Sequence, residues 1–215
     1  MYFVKTPNII RAYFKDYIWS VNTNKKEIYL TFDDGPTPEV TLFVLDVLKK
    51  HHAKATFFCI GKNIENHSEI FQQIIDANHT IGNHSHNHLN GWKVPRNLYF
   101  DNVEKCQSII RNHNSSKIKR LKTTKLFRPP YGKIKRLQAK ALLKLGYKII
   151  MWTVLSGDFD LNIPKEKCLE HVIKHTNNGS IIVFHDSKKA FNHLKFTLPK
   201  VLEYFSKKGY EFKAL

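Results

Sequence analysis

Residues 28–38 read Ile28-Tyr29-Leu30-Thr31-Phe32-Asp33-Asp34-Gly35-Pro36-Thr37-Pro38. The first five are aliphatic, aromatic or β-branched, which suits a largely buried strand. Two adjacent acids then end the apolar run, and Gly35-Pro36 makes a turn. Thr37 is a natural helix cap and Pro38 a natural first helical residue. Beyond them Val40, Phe43, Val44, Val47 and Leu48 keep helical spacing. Strand, acidic turn and helix in immediate succession are the start of a β/α unit.

The same alternation runs along the rest of the chain. Short apolar runs recur at Ile28–Phe32, Thr56–Ile60, Thr80–Gly82, Leu126–Phe127, Lys148–Val154, Ser180–Phe184 and Tyr210–Leu215. Helical patterns separate them. Ile70, Phe71, Ile74 and Ile75 mark a second helix, and Val103, Cys106, Ile109 and Ile110 a third. Leu137, Ala141, Leu142 and Leu145 mark a fourth, stopped by Gly146. Pro164 opens a fifth with Cys168, Leu169, Val172 and Ile173; Leu198, Val201, Leu202 and Phe205 form a sixth. Strands alternating with helices imply right-handed βαβ units in a parallel α/β sheet, and about seven strands favour closure into a barrel. Residues 1–26 precede this unit, and Ile9, Ile10, Tyr13, Phe14, Tyr17 and Ile18 predict an amphipathic helix covering the core. No linker divides residues 27–215, so a single domain is expected there.

The 215 residues carry 35 Lys+Arg against 18 Asp+Glu, a formal net charge of +17. This balance suits anionic surroundings or a merely basic surface. The lysines are spread along the chain, the densest cluster (Lys117 to Lys125) reads as a loop, and no nucleic-acid-binding signature is present, so no nucleic-acid partner is expected. Cys59, Cys106 and Cys168 are too few and too scattered for a disulfide framework or a Cys-based zinc site, and read as small buried hydrophobes. No apolar run reaches the ~18 residues of a membrane span. Lys5, Arg11, Lys15 and Asp16 interrupt the N-terminal apolar positions, so the expectation as written is a cytoplasmic protein, with the cell envelope as the alternative. Nothing in the sequence indicates an oligomeric state.

Unusual polar residues collect where strands end. Asp33 and Asp34 follow the first run and His84 the third; Arg128 follows Leu126–Phe127, Asp158 lies just beyond Lys148–Val154, and His185 ends Ser180–Phe184. In parallel α/β folds the carboxyl ends of the strands share one face, and that face carries the active site. His84 and His88 are spaced i, i+4, so on one helical turn both rings can share a cation. By itself that spacing carries little weight in a chain with 12 histidines, and His86 reads as solvated. Two imidazoles and a carboxylate leave positions open for water and a substrate oxygen; zinc or a similar ion suits hydrolysis, while the same triad also serves non-haem iron oxygenases. A second acid beside the ligand favours hydrolysis, since it can take the proton of an activated water. In Arg128-Pro129-Pro130-Tyr131-Gly132 neither proline has an N–H, so the Tyr131 amide is the first free donor after the strand and is suited to an oxyanion. Arg128 is placed to pair with Asp33, and Asp158 to keep His185 protonated as a general acid. Each motif alone also fits a plain structural role: a capping turn, a rigid Pro-Pro turn or a core histidine.

Taken in order, Thr31-Phe32-Asp33-Asp34-Gly35, His84-Ser85-His86-Asn87-His88 and Arg128-Pro129-Pro130-Tyr131-Gly132 resemble the first three motifs of the carbohydrate esterase family 4 polysaccharide deacetylases, which share the NodB homology domain. The resemblance runs from about residue 27 to the C-terminus. It implies a distorted (β/α) barrel of about seven strands and one divalent ion, zinc first, with cobalt, nickel or manganese as substitutes. It also implies Asp33 as base, Asp34, His84 and His88 as metal ligands, and Arg128 steadying the base. The Tyr131 amide would serve the oxyanion, and His185, tuned by Asp158, would be the acid. The implied partner is an acetylated amino-sugar polymer such as peptidoglycan or chitin oligomers, and the implied products are acetate and a free amine. Two motifs depart from the pattern: Leu155 replaces the first acid of the fourth motif and Phe159 its Trp, while Val183 replaces the Leu of the fifth. The fourth-motif changes make one pocket wall less polar. O-acetyl esterase activity of the same family, a catalytically silent carbohydrate-binding relative, and a basic nucleic-acid-binding protein are the alternatives.

Overall fold

A computed structural model describes residues 2–113 and 125–215; most of the basic cluster, Lys117 to Lys122, lies outside the described residues. In chain order the elements are α1 (Asn8–Tyr13), β1 (Glu27–Asp33), α2 (Val40–Lys50), β2 (Thr56–Cys59), α3 (Gly61–Asn66), α4 (Ser68–Asp76), β3 (Thr80–Asn83) and α5 (Arg96–His113). They continue with β4 (Leu126–Phe127), α6 (Arg136–Lys144), β5 (Lys148–Ile149), β6 (Val154–Leu155), α7 (Lys165–His175), β7 (Ile181–His185), α8 (Phe191–Lys207) and β8 (Glu211–Lys213).

The strands run in the order β5-β4-β3-β2-β1-β7-β6, and every pairing is parallel. The short β8 pairs with the first half of β1, on the stretch that β2 leaves free. The connection between the two edges decides the shape. Laid flat at ~4.8 Å per strand, seven strands would hold β5 and β6 roughly 29 Å apart. Only Ile150–Thr153 join them, and five Cα steps reach at most roughly 18 Å. The sheet therefore curls into a distorted barrel. The run expected as a single strand, Lys148–Val154, is the closing seam, pairing with β4 at its start and β7 at its end. Ile18 bridges the middle of it, beside Ile150.

β1 and β7 lie side by side in the centre, in register from Tyr29↔Ile181 to Asp33↔His185. Helices cover them outside, and Phe32, Phe57, Phe71, Phe184, Leu194 and Val201 fill one continuous core. The three cysteines are buried and free, as expected of small hydrophobes.

Some local expectations need correction. α2 begins at Val40 rather than Pro38, after Glu39 at a φ of 67°; the hydroxyl of Thr41 takes the Thr37 amide instead of Thr37 capping the helix. On α6, Leu137 and Leu145 are exposed, and the inward residues are Gln138, Ala139 and Leu142. Gln138 is buried because its amide bonds the Gly91 carbonyl and the Lys135 N–H. The N-terminal helix is shorter than its apolar stripe implied: Ile9 and Tyr13 are exposed, and Ile10, Tyr17 and Ile18 pack inward.

Phe71 is wholly buried on α4 within the main core. Phe71→Ala is expected to cost about 3–5 kcal/mol of stability with an unchanged urea m-value. A loss near 1 kcal/mol would mean that this helix contributes far less to the core than its burial implies.

Candidate metal centre and active site

The register of the central strands sets the site. Asp33 and His185 are paired neighbours at the carboxyl ends of β1 and β7, and Asn83, at the end of β3, pairs with Phe127, just before Arg128. The six polar residues flagged in sequence therefore meet at one mouth of the barrel.

Arg128 is completely buried and sits under that mouth. Its Nη1 donates to Asp33 Oδ1 at 2.7 Å and to the Thr31 hydroxyl at 2.6 Å; Nε and Nη2 donate to the carbonyls of Ile150 and Met151. Its guanidinium also lies 4.1 Å from the centroid of Phe58. Burial alone would push the Asp33 carboxyl up, but the charges of Arg128, His84 and His185 outweigh it and hold Asp33 below the usual carboxylate range.

Beside this pair lies a three-donor cluster. His88 Nε2 is 3.3 Å and His84 Nε2 3.7 Å from Asp34 Oδ1, and the three donor atoms lie within 4.8 Å of one another. Two ligands of a tetrahedral zinc at ~2.0–2.1 Å are about 3.4 Å apart, so the spacing suits one shared ion. Asp34 Oδ1 is buried with no hydrogen-bond partner, an acceptor that a cation would satisfy. The Arg128 carbonyl is 2.8 Å from His84 Nδ1. A carbonyl can only accept, so Nδ1 carries the proton and Nε2 keeps its lone pair for the cluster. Burial, followed by the neighbouring His84, pushes His88 down to about 4, leaving its ring neutral near pH 7.

The two histidines do not share a helical turn. His84–His88 is a loop, with Ser85 at a φ of 63° and His88 at 55°. Two asparagines hold it: Asn83 Oδ1 takes the Ser85 amide, and Asn102 Oδ1 takes those of His86 and Asn87. His86, expected in solvent, is buried with Nε2 3.7 Å from Glu65. The two rings named for their i, i+4 spacing thus meet through a geometry other than the one that spacing suggested.

Asp158 holds His185 twice, through the backbone amide and through Nδ1, each at 2.8 Å. Burial disfavours the charged ring, yet Asp158, with Asp34 and Asp33 behind it, outweighs burial and raises His185 to about 9. Tyr131 adopts a φ of 60° in a short turn after Pro130, and its ring meets His88 edge-on at 4.5 Å. Asp34, Ser85, His88 and Tyr131 are four of the seven non-glycine residues with positive φ among the described residues, so backbone strain gathers at this mouth. A cleft of about 600 Å³ opens above, its floor including Asp33, Asp34, His84 and His88 and its wall including Leu155, Phe159 and His185.

The sequence profile described as polysaccharide deacetylase matches residues 20–150. The chain belongs to the polysaccharide deacetylase family. Among its relatives, a peptidoglycan-N-acetylglucosamine deacetylase of Bacillus cereus is 34% identical over 197 residues, which are 90% of this chain and 88% of that one. The crystal structure of the Bc1960 peptidoglycan N-acetylglucosamine deacetylase, in complex with 4-naphthalen-1-yl-N-oxidanyl-benzamide, superposes with a TM-score of 0.86 at 32% identity, covering 98% of this chain and 95% of that one. BA3943 of Bacillus anthracis, a pseudoenzyme of carbohydrate esterase family 4, superposes with a TM-score of 0.79 at 26% identity over 92% of this chain and 66% of that one.

One buried group of this deacetylase fold was not singled out in sequence. Asp186, directly after His185, accepts from the Gly35 amide at 2.9 Å and from the Thr41 hydroxyl at 2.6 Å, fixing the turn after Asp34. Burial, which outweighs these bonds, pushes it up to about 7. A Cβ on Gly35 would fall 2.0 Å from its carboxylate, which explains the glycine. The only sequence signal was an acid following a histidine at a strand end.

A folded-state pKa of about 9, against ~6.5 unfolded, makes the His185 proton a stabilising one. That contribution is complete below pH ~6.5 and disappears as the pH rises through about 9. In Asp158→Asn the ring, still buried, is expected to titrate below 6.5, read by NMR of the imidazole in metal-free protein. A ring still titrating near 9 would mean that another group holds the proton.

Proposed function

We propose that the chain hydrolyses the N-acetyl groups of amino sugars in a polysaccharide, with peptidoglycan N-acetylglucosamine as the first candidate, using one divalent ion held by Asp34, His84 and His88. The observation that carries this reading is the buried, unpartnered Asp34 Oδ1 facing two imidazole nitrogens, with a second carboxylate, Asp33, alongside. The relatives named as peptidoglycan deacetylases supply the substrate class.

An ion in that cluster supplies Lewis acidity, which acidifies a water and polarises an amide carbonyl. Two imidazoles and one carboxylate suit zinc, with cobalt, nickel or manganese as substitutes. Asp33, kept ionised and aimed by Arg128, accepts the proton of the attacking water as its oxygen bonds the acetyl carbon. The Tyr131 amide, at the rim of the cleft, donates to the oxygen that becomes negative. His185, held protonated by Asp158, delivers a proton to the sugar nitrogen as the C–N bond breaks, leaving acetate and a free amine. Only the protonated ring can serve as this acid, so activity is expected to decline as the pH rises through the His185 pKa. A silent binding role is the weaker reading, because the three donors and both acid–base groups are all present.

Asp33→Ala and His185→Ala are expected to retain one equivalent of bound metal yet lose at least about 100-fold in acetate release from N-acetylated glycans, whereas Asp34→Ala loses the ion. Metal content is read by elemental analysis and acetate by an enzymatic assay. Asp34→Ala with full metal occupancy would overturn the ligand assignment, and release from acetyl esters alone would make the chain an O-acetyl esterase. An aryl N-hydroxyamide, a metal-chelating group present in the compound bound to Bc1960, is expected to inhibit the metal-loaded enzyme.

A further inference from the structure

Next to the cleft lies a second, smaller groove of about 260 Å³. Tyr2, Tyr131, Gly132, Trp152 and Leu155 line both, so the two are continuous. Phe3, Phe14 and Tyr17 from the N-terminal segment also line it, as does Trp92. Most of that segment precedes residue 20, where the family match starts. It is nevertheless held in place: the Leu155 amide donates to the Val4 carbonyl at 2.8 Å, the Thr6 amide to the Thr153 carbonyl at 3.0 Å, and the Thr6 hydroxyl to the Trp152 carbonyl at 2.8 Å. Gly132 permits the close seat of Trp152, since a Cβ there would come within 2.7 Å of the indole.

The lining decides the occupant. In a chain of net charge +17, no charged side chain among the described residues lines this groove, and Lys133, whose Nζ lies over the Trp92 ring, is a single cation beside it, so the lining gives little to an anionic lipid headgroup or a phosphate backbone. Phe3 is 61% and Trp92 60% exposed, large aromatic surfaces beside a reaction cleft, with the Lys133 ammonium over the Trp92 ring at 5.3 Å from its centroid. A pyranose ring fits such a surface: its C–H faces pack on aromatic rings while its hydroxyls stay in water. The groove falls short of the ~300–1,000 Å³ of independent small-molecule pockets, which suits an extension of the cleft rather than a separate site.

We propose that this groove is a subsite for a neutral sugar ring of the same polymer, next to the ring being deacetylated, with Phe3 and Trp92 as its stacking residues. This rests on the deacetylase reading and deepens it: the enzyme recognises a stretch of glycan rather than a single sugar. The test is kcat/KM for acetate release from N-acetylglucosamine oligomers, from monosaccharide to pentasaccharide, with the full-length, metal-loaded protein. In the wild type kcat/KM is expected to rise with length. In Phe3→Ala/Trp92→Ala the ratio of pentasaccharide to monosaccharide is expected to fall about tenfold, the scale of two lost aromatic contacts. An undiminished ratio, or an equal fall on both substrates, would overturn the subsite. So would a change in sedimentation coefficient or in vesicle co-sedimentation with length dependence intact, since the groove would then serve a second copy or a membrane. If the wild type releases no acetate from any oligomer, the deacetylase reading fails; the subsite is then judged by quenching of tryptophan emission on titration with pentasaccharide. Quenching in the wild type that is lost in the double variant supports the subsite, and its absence overturns it.

Discussion

The ion pair between Arg128 and Asp33 is the interaction on which the site depends. Taking two charges out of water is costly, and the mutual attraction offsets this only where the remaining donors and acceptors are also satisfied. Here four of the five guanidinium N–H groups have partners, on a side chain with no exposed surface. The partners come from β1 and from the closing seam, so the full set of guanidinium bonds is assembled only when the barrel has closed. The backbone of Arg128 does as much. Its amide bonds the Asn83 carbonyl and its own carbonyl takes the His84 Nδ1 proton. One residue thus aims the Asp33 carboxylate, orients the His84 ring of the candidate metal cluster and joins β3 to β4.

Around that centre the division of labour is consistent. Strand ends supply charge, and neutral polar side chains hold the loops. Asn83 and Asn102 brace the histidine loop, and the Asn63 side-chain amide bonds the Asp34 carbonyl at 2.7 Å. Asp186 pins the turn after Asp34, where φ is 83°. Strained positions of this kind persist only where neighbours over-determine them, each costing of order 1–3 kcal/mol. The braces therefore hold the donor atoms at ligand spacing.

What the sequence revealed and what it hid follow from the range of the interactions. Central strands such as Ile181–Phe184 were legible because burial on both faces leaves an unbroken apolar run. The site residues were legible because parallel topology sends all strand ends to one side, so a polar residue after each run carries spatial information. The fate of residues 148–155 was not, since two short pairings with different partners look like one strand when read locally. Nor was the loop of His84, whose conformation is set by asparagines on other elements. Leu137 misled for a related reason: helical periodicity was satisfied by neighbouring faces, and the long-range bonds of Gln138 chose between them.

The departures in the fourth motif acquire a physical meaning from their setting. Asp158 needs no second acid to act on His185, because its two oxygens are already engaged by the ring and by the backbone amide. Leu155 and Phe159 instead face the cleft, with Phe159 edge-on to His185 at 5.1 Å and Tyr2 against Phe159 at 5.1 Å. An apolar wall excludes water from the surroundings of His185, and a drier surround strengthens the Asp158–His185 pairing. The same residues that make this wall unlike the family pattern thus reinforce the Asp158–His185 pair beside it. The acidic and imidazole groups sit at the strand ends, and the cleft above them is walled by Leu155 and Phe159 and adjoins a groove lined in part by a segment that mostly precedes the family match.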